Sequence, residues 1–260
     1  PVPPGPSGTT GPTDADRTVG RSRARPLRSL AVTEHLDPIH LAITERGTGD
    51  AVVFTHGWVD DRSVWDGAMA ELGDAVHSVS WDLRGHGESD VPPPGSYTRD
   101  HALADMERVV TQAGTPAILV GHSLGGYLSL AYALRHPEQV RGLVLVAAGP
   151  GFRKDETREQ WNDNVDESAK KLRVPAGSEE ISKHVDAWVI DSLGQIDAPT
   201  VVVVGEHDKR FQASAAVFEK YMDVRANLTI ADAGHSVHKK RPGEIAAAIR
   251  RLLDELPTID

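Results

Sequence analysis

Gly121-His122-Ser123-Leu124-Gly125-Gly126 is the densest run of potential chemistry in the chain. It fits G-x-S-x-G, directly follows the apolar run 117–120, and opens an apolar helical pattern. A serine on so sharp a strand-to-helix turn takes a strained backbone conformation. Side chains two residues away on either side would collide, which is the reason for glycine there. The turn lifts Oγ off the sheet edge, and the helix start supplies backbone N–H groups and the positive end of a dipole. Such a hydroxyl becomes a nucleophile when a base takes its proton and an acid orients the base.

Two later strand ends can supply those groups. The apolar run 200–204 leads into Gly205-Glu206-His207-Asp208, which puts Asp208 at a strand's carboxyl end on the edge that carries Ser123. The run 227–230 leads into Ala231-Asp232-Ala233-Gly234-His235, so His235 occupies the next loop of that edge. The chain order serine, acid, histidine suits nucleophilic acyl transfer, with His235 as base and Asp208 as its orienting acid. Glu206 and Asp155 are alternative acids, and His238 is an alternative base. Acyl transfer also needs donors aimed where negative charge develops. His56-Gly57-Trp58 follows the run 51–55. Gly57 permits a tight turn, and the N–H of Trp58 can face the site, with the N–H of Leu124 as the second oxyanion-hole donor. His56, Gly57 and His122 are expected around the substrate pocket, His122 packing beneath the serine turn. His207, Asp208, His235 and His238 invite comparison with a metal site, but a triad accounts for Asp208 and His235 without one. Neither metal nor cofactor is expected.

These residues need a parallel sheet to bring them together, and the chain has the pattern for one. Short apolar runs at 51–55, 76–81, 117–120, 142–147, 200–204 and 227–230 alternate with helical patterns at 63–72, 99–112, 124–135 and 244–256. The runs 142–147 and 200–204 are as apolar as strands of a sheet covered on both faces, and the alternation argues for a parallel sheet wrapped by helices. The expected class is α/β, a mostly parallel doubly wound sheet with N-terminal antiparallel strands. Those N-terminal strands are expected at 30–35 and 39–45, as a hairpin around Asp37-Pro38. The segment 151–197 is too long for a simple crossover. It reads as a short helical lid, with helices near 157–172 and 178–193 joined around Val174-Pro175-Ala176-Gly177. Ligands bind at that edge of an open α/β sheet.

Composition narrows the function. The 260 residues allow one large domain or two small ones, and the domain is expected over 29–260. No window holds 18 consecutive apolar residues, so no membrane span is expected. The absence of cysteine excludes a thiol nucleophile and thiolate zinc sites. A net charge of −10, from 28 basic against 38 acidic residues, disfavours nucleic acid as a partner. Residues 1–28 are Pro/Gly-rich, then basic through Arg17, Arg21, Arg23, Arg25 and Arg28, and read as a disordered arm. That arm shows no secretory h-region, and a cytoplasmic location is expected, although the chain does not begin with Met. Oligomeric state is left open.

The combined marks resemble the α/β-hydrolase family, of the small single-domain esterase, lactonase and cofactor-free haloperoxidase type. The likeness runs from about residue 30 to 256 and rests on His56-Gly57-Trp58, the stretch 82–89 (Asp82-Leu83-Arg84-Gly85-His86-Gly87-Glu88-Ser89), the turn around Ser123, Gly205–Asp208 and Gly234-His235. It implies a nucleophilic Ser123, a basic His235 and an orienting Asp208. It also implies that the loop 82–89 is structural, with Arg84 and His86 holding neighbouring loops. Serine rather than aspartate at the turn argues against an epoxide or haloalkane hydrolase. The lid is short and charged. Its Trp161 and Trp188 either wall the pocket or pack the lid onto the core. The expected activity is hydrolysis of a small-molecule carboxylic ester, thioester or lactone. The alternatives are a carbon–carbon bond hydrolase, lyase or perhydrolase using the same triad, and a hydrolase-like binding protein.

Overall fold

The computed structural model describes residues 38–257. The arm expected over 1–28 and the strand expected over 30–35 lie outside the described residues. A seven-stranded sheet forms the centre: β1 (Ile43–Arg46), β2 (Asp50–Thr55), β3 (Val76–Trp81), β4 (Ala117–His122), β5 (Val140–Val146), β6 (Thr200–Gly205) and β7 (Val224–Ile230). Their spatial order is β1-β3-β2-β4-β5-β6-β7. Only β1 runs antiparallel, against β3. The described part of the expected hairpin is therefore a short strand starting at Ile43, and its partner is the later strand β3.

The strands alternate their side chains between two apolar layers. On one face Val52, Phe54, Ile118, Val120, Val144, Val146, Val201 and Val203 pack under α1 (Asp66–Leu72) and the helix Pro242–Glu255, through Met69, Ile245, Ile249 and Leu252. On the other, Val53, Val79, Leu119, Leu143, Leu145 and Val202 meet α2 (Arg99–Ala113), α3 (Leu124–Arg135) and α6 (Lys209–Tyr221), through Met106, Leu128, Tyr132 and Phe218. Burial on both faces explains why the runs 117–120 of β4 and 201–204 of β6 are apolar. The edge strand β7 alternates inward Ala226 and Leu228 with exposed Arg225, Asn227 and Thr229.

The order of the strands creates the site. The chain goes from β2 to β3 on one side, then returns to lay β4 on the other side of β2. The strand order, not the strand direction, reverses between the parallel pair β2 and β4, and a crevice opens beyond the carboxyl ends of such a pair. Thr55 and Gly121 are paired across it. Residues 56–58 and 122–124 therefore leave adjacent strands side by side.

The segment between β5 and β6 differs from its expected form. α4 (Asp155–Leu172) is one long helix, as the pattern indicated. The second expected helix, 178–193, is instead a 3-10 turn at Ser178–Ser182, an extended stretch, α5 (Trp188–Ser192) and a further 3-10 turn. Side chains that compete for backbone break it. Asn162 binds both backbone groups of His184, accepting from its N–H at 2.9 Å and donating to its carbonyl at 3.0 Å. Asp186 accepts from the Trp188 N–H at 3.0 Å and starts α5 afresh. Among the described residues no helix is long and apolar enough to cross a membrane.

Candidate active site

Ser123 stands between β4 and α3 with φ 51° and ψ −110°. A non-glycine residue holds such a conformation only where its surroundings fix it. The Ser123 N–H donates to the Val146 carbonyl at 3.0 Å, tying the turn to β5. A Cβ on Gly121 would lie 2.4 Å from the Gly125 carbonyl, and one on Gly125 2.2 Å from the Thr55 carbonyl oxygen. The turn thus closes against β2 only with glycine at both places.

Asp208 follows β6, and His235 follows β7. The His235 Nδ1 and Asp208 Oδ2 are 2.8 Å apart. An ionised carboxylate only accepts, so Nδ1 carries the proton and Nε2 keeps its lone pair. Asp208 is nearly buried, at 7% side-chain exposure, whereas His235 is 42% exposed, so the free edge of the imidazole is reachable. Phe211, at the start of α6, stacks on the His235 ring with centroids 4.8 Å apart and planes 22° from parallel. The alternative acids are engaged elsewhere. Glu206 accepts from the Asp232 N–H at 3.1 Å, and Asp155 is exposed and paired with Arg158.

Two cavities meet at Ser123. The first takes up about 550 Å³, its open mouth included, and has Leu124, Tyr127, Phe152, His184 and Phe211 in its wall. The second, about 900 Å³ with its open mouth, includes Trp58, Asp60, His122, His235 and Lys239. Ser123, Trp161, Ser182 and Arg210 belong to both walls. Trp58 and Leu124 accordingly flank Ser123 from the two adjacent strand ends.

Residues 50–178 match a family model of the α/β-hydrolase fold. A thermophilic esterase from Thermogutta terrifontis superposes with a TM-score of 0.68 at 25% identity, over 84% of this chain and 94% of its own. The chain belongs to the α/β-hydrolase fold family. It is 32% identical over 170 residues to the 2-(acetamidomethylene)succinate hydrolase of Mesorhizobium japonicum, covering 65% of this chain and 58% of that protein. The alignment thus spans little more than half of that relative. It is also 27% identical over 242 residues to a 2-succinyl-6-hydroxy-2,4-cyclohexadiene-1-carboxylate synthase of Enterobacter, over 78% of this chain and 91% of that one.

Several expected pocket residues of this α/β hydrolase sit elsewhere. His56 is fully buried and lines neither cavity. Its Nε2 accepts from the Leu83 N–H at 3.0 Å while Nδ1 lies 2.7 Å from the Gly57 carbonyl, so it clamps the β2 loop to the β3 loop. Burial and then the neighbouring His86 lower its pKa to about 3, keeping it neutral. Gly57 is outside the cavity wall too. A Cβ there would reach 2.6 Å from His122 Nδ1, so its role is close approach. Trp188 is displaced from the pocket as well. Its ring lies beneath the guanidinium groups of Arg99 and Arg135, at 4.8 and 5.6 Å, and packs the β5–β6 segment onto the core. Trp161 does line the cavities, held by its Nε1–H donating to the Ser182 carbonyl at 2.8 Å.

Beneath the serine turn His122 donates from Nε2 to the His235 carbonyl at 3.0 Å and stacks on His238 at 3.9 Å. Burial, then His238 and His235, hold the His122 pKa well below its ordinary value. Asp60, His122 and His238 bring three possible ligand atoms within 4.8 Å of one another. The Lys239 ammonium, however, is already paired with Asp60 and supplies the cation there. Arg84 and His86 line neither of these two cavities and tie the loop 82–89 to α2 and to His56. Arg84 Nε donates to Asp105 at 2.7 Å, and His86 Nδ1 lies 3.0 Å from the Arg84 carbonyl. Sequence reading missed Phe211 and Arg210, which follow Asp208 by three and two positions in the first turn of α6. Only the helix start after the acid-bearing loop could have signalled them.

Proposed function

We propose that this α/β hydrolase is a serine hydrolase that cleaves a carboxylic ester, thioester or lactone through an acyl-enzyme. The observation that carries the reading is the Asp208–His235 hydrogen bond at the rim of a cavity whose wall includes Ser123. In the cycle, the Ser123 Oγ attacks the carbonyl carbon as its proton passes to His235 Nε2. The backbone amides of Trp58 and Leu124 receive the oxyanion; one such donor contributes about 3 kcal/mol to lowering the barrier. His235 gives the proton to the leaving alcohol or thiol. Water then adds to the acyl carbon as its proton passes to His235, and His235 returns that proton to the Ser123 Oγ as the acid is released. Asp208 holds the imidazole in the required tautomer and stabilises the imidazolium. α4 and the stretch behind it act as a lid, with Trp161 as its wall.

The test compares wild type with Ser123→Ala on 4-nitrophenyl acetate and butyrate. Turnover is expected to vanish in the variant, and full activity there would refute the reading. A second reading uses the same groups for carbon–carbon bond cleavage or elimination. It is favoured by the alignment, over 78% of this chain and 91% of the relative, with an Enterobacter protein whose name is that of a synthase and not of a hydrolase. Turnover of a meta-cleavage dienoate, with none of the esters, would select it.

A further inference from the structure

We propose that Arg210 is an anion-binding, specificity-determining residue, so that the substrates of this site are esters bearing a carboxylate. This rests on the serine-hydrolase reading for the word ester, but the anion site itself stands on the charge arrangement of the cavities.

The titratable side chains of the two walls settle the sign of the field. In the first cavity Arg210 is the only charged residue, since burial lowers the pKa of His184 to about 4 and leaves it neutral. In the second, Asp60 and Lys239 are paired with each other, which leaves Arg210 again uncompensated. Among the described residues Arg210 has no ion pair or hydrogen bond, unlike Arg99, Arg153 and Arg158 around the same segment, each of which holds an aspartate. A chain of net charge −10 thus presents one unpaired cation beside Ser123. A local positive field in a concave, partly apolar site favours anionic ligands.

The guanidinium is also held in a useful way. Its Cζ lies 5.2 Å from the centroid of the Trp161 ring. That ring is fixed by its hydrogen bond to the Ser182 carbonyl and by Phe152, 5.5 Å away. None of the Arg210 N–H groups has a hydrogen-bond partner among the described residues, so the donors remain free for a carboxylate, which guanidinium N–H groups grip in pairs. Arg210 and Trp161 stand where the two cavities join, so a carboxylate on either the acyl or the alcohol portion can reach the group.

Two matched ester pairs test this. Mono-4-nitrophenyl glutarate against 4-nitrophenyl valerate places the charge on the acyl side, and 4-carboxyphenyl acetate against phenyl acetate places it on the leaving side. The readout is the ratio of kcat/KM, anionic over neutral, which general damage to the enzyme does not move. In at least one pair the ratio is expected to be roughly 10- to 100-fold in wild type, to fall to near unity in Arg210→Gln, to be partly kept in Arg210→Lys, and to shrink with added salt. Ratios near unity in both wild-type pairs, or ratios unchanged in Arg210→Gln, overturn the proposal. Calorimetric binding of glutarate to Ser123→Ala, with and without Arg210→Gln, separates the two failures. Binding that depends on Arg210 in a chain that turns over no ester retains the anion site and rejects the hydrolase reading. Ester turnover without Arg210-dependent glutarate binding or ratios does the reverse.

Discussion

The carboxylate of Asp208 and the imidazole of His235, on loops after two different strands, are joined by a hydrogen bond of 2.8 Å. The bond fixes more than distance. Because the carboxylate can only accept, it dictates which ring nitrogen is protonated and turns the Nε2 lone pair outward. Asp208→Asn keeps the shape but replaces an acceptor by a group that can also donate. The amide can then present its NH₂ to Nδ1, the tautomer inverts, and Nε2, already carrying a proton, cannot accept one from Ser123. A fall in kcat of roughly 10³- to 10⁴-fold on 4-nitrophenyl butyrate is expected, with the thermal midpoint nearly unaltered. A loss below tenfold would count against a general-base role for His235.

The two tryptophans of the β5–β6 segment should separate site from scaffold. Trp161 is in the wall of both cavities and Trp188 in neither. Trp161→Ala merges the two spaces, so the ratio of kcat/KM for long against short acyl esters is expected to rise severalfold. Trp188→Ala removes the platform beneath Arg99 and Arg135. It is expected to cost about 1–3 kcal/mol in urea unfolding with the acyl-length preference kept. Equal effects of the two variants on that preference would contradict the assignment.

That contrast marks where sequence reading reached its limit. That Ser123, Asp208 and His235 lie at one edge of a parallel sheet was legible because each follows a strand, and the topology alone brings strand ends together. The layers were legible for the same reason: Ile118 and Val120 must face one way, and Ala117 and Leu119 the other. Which tryptophan faces the cavity depends instead on the path of residues 173–187. There Asn162 captures the backbone of His184, and Asp186 restarts the helix. These side-chain bonds leave no periodic trace. His56 was legible as part of a turn, but its two backbone partners, Gly57 and Leu83, come from different loops. A histidine at the edge of a site reads the same whether it faces substrate or closes a loop.

Buried neutral histidines give the fold an acid sensitivity independent of the carboxylates. Burial first lowers the pKa of His56 and of His238 to about 3, and that of His184 to about 4, against an ordinary 6.5. For His56 the hydrogen bonds show why protonation is resisted: a second N–H would point at the N–H of Leu83. The sign follows. Between pH 6.5 and the depressed folded values the unfolded chain binds more protons than the folded one, so stability is complete above pH 6.5 and declines as pH falls. Each such group removes roughly 1 kcal/mol by pH 5.5. His238 is the cleanest to test, because neither ring nitrogen has a hydrogen-bond partner among the described residues and its packing is by rings, on Trp65 at 5.0 Å and His122 at 3.9 Å. His238→Phe keeps ring packing and removes the titration. Urea unfolding from pH 7.5 to 5.5 is expected to show the stability of this variant declining by about 1 kcal/mol less than that of wild type. Parallel curves would mean that His238 is already protonated in the folded chain, or that its charge is accommodated by Asp60, 3.8 Å away.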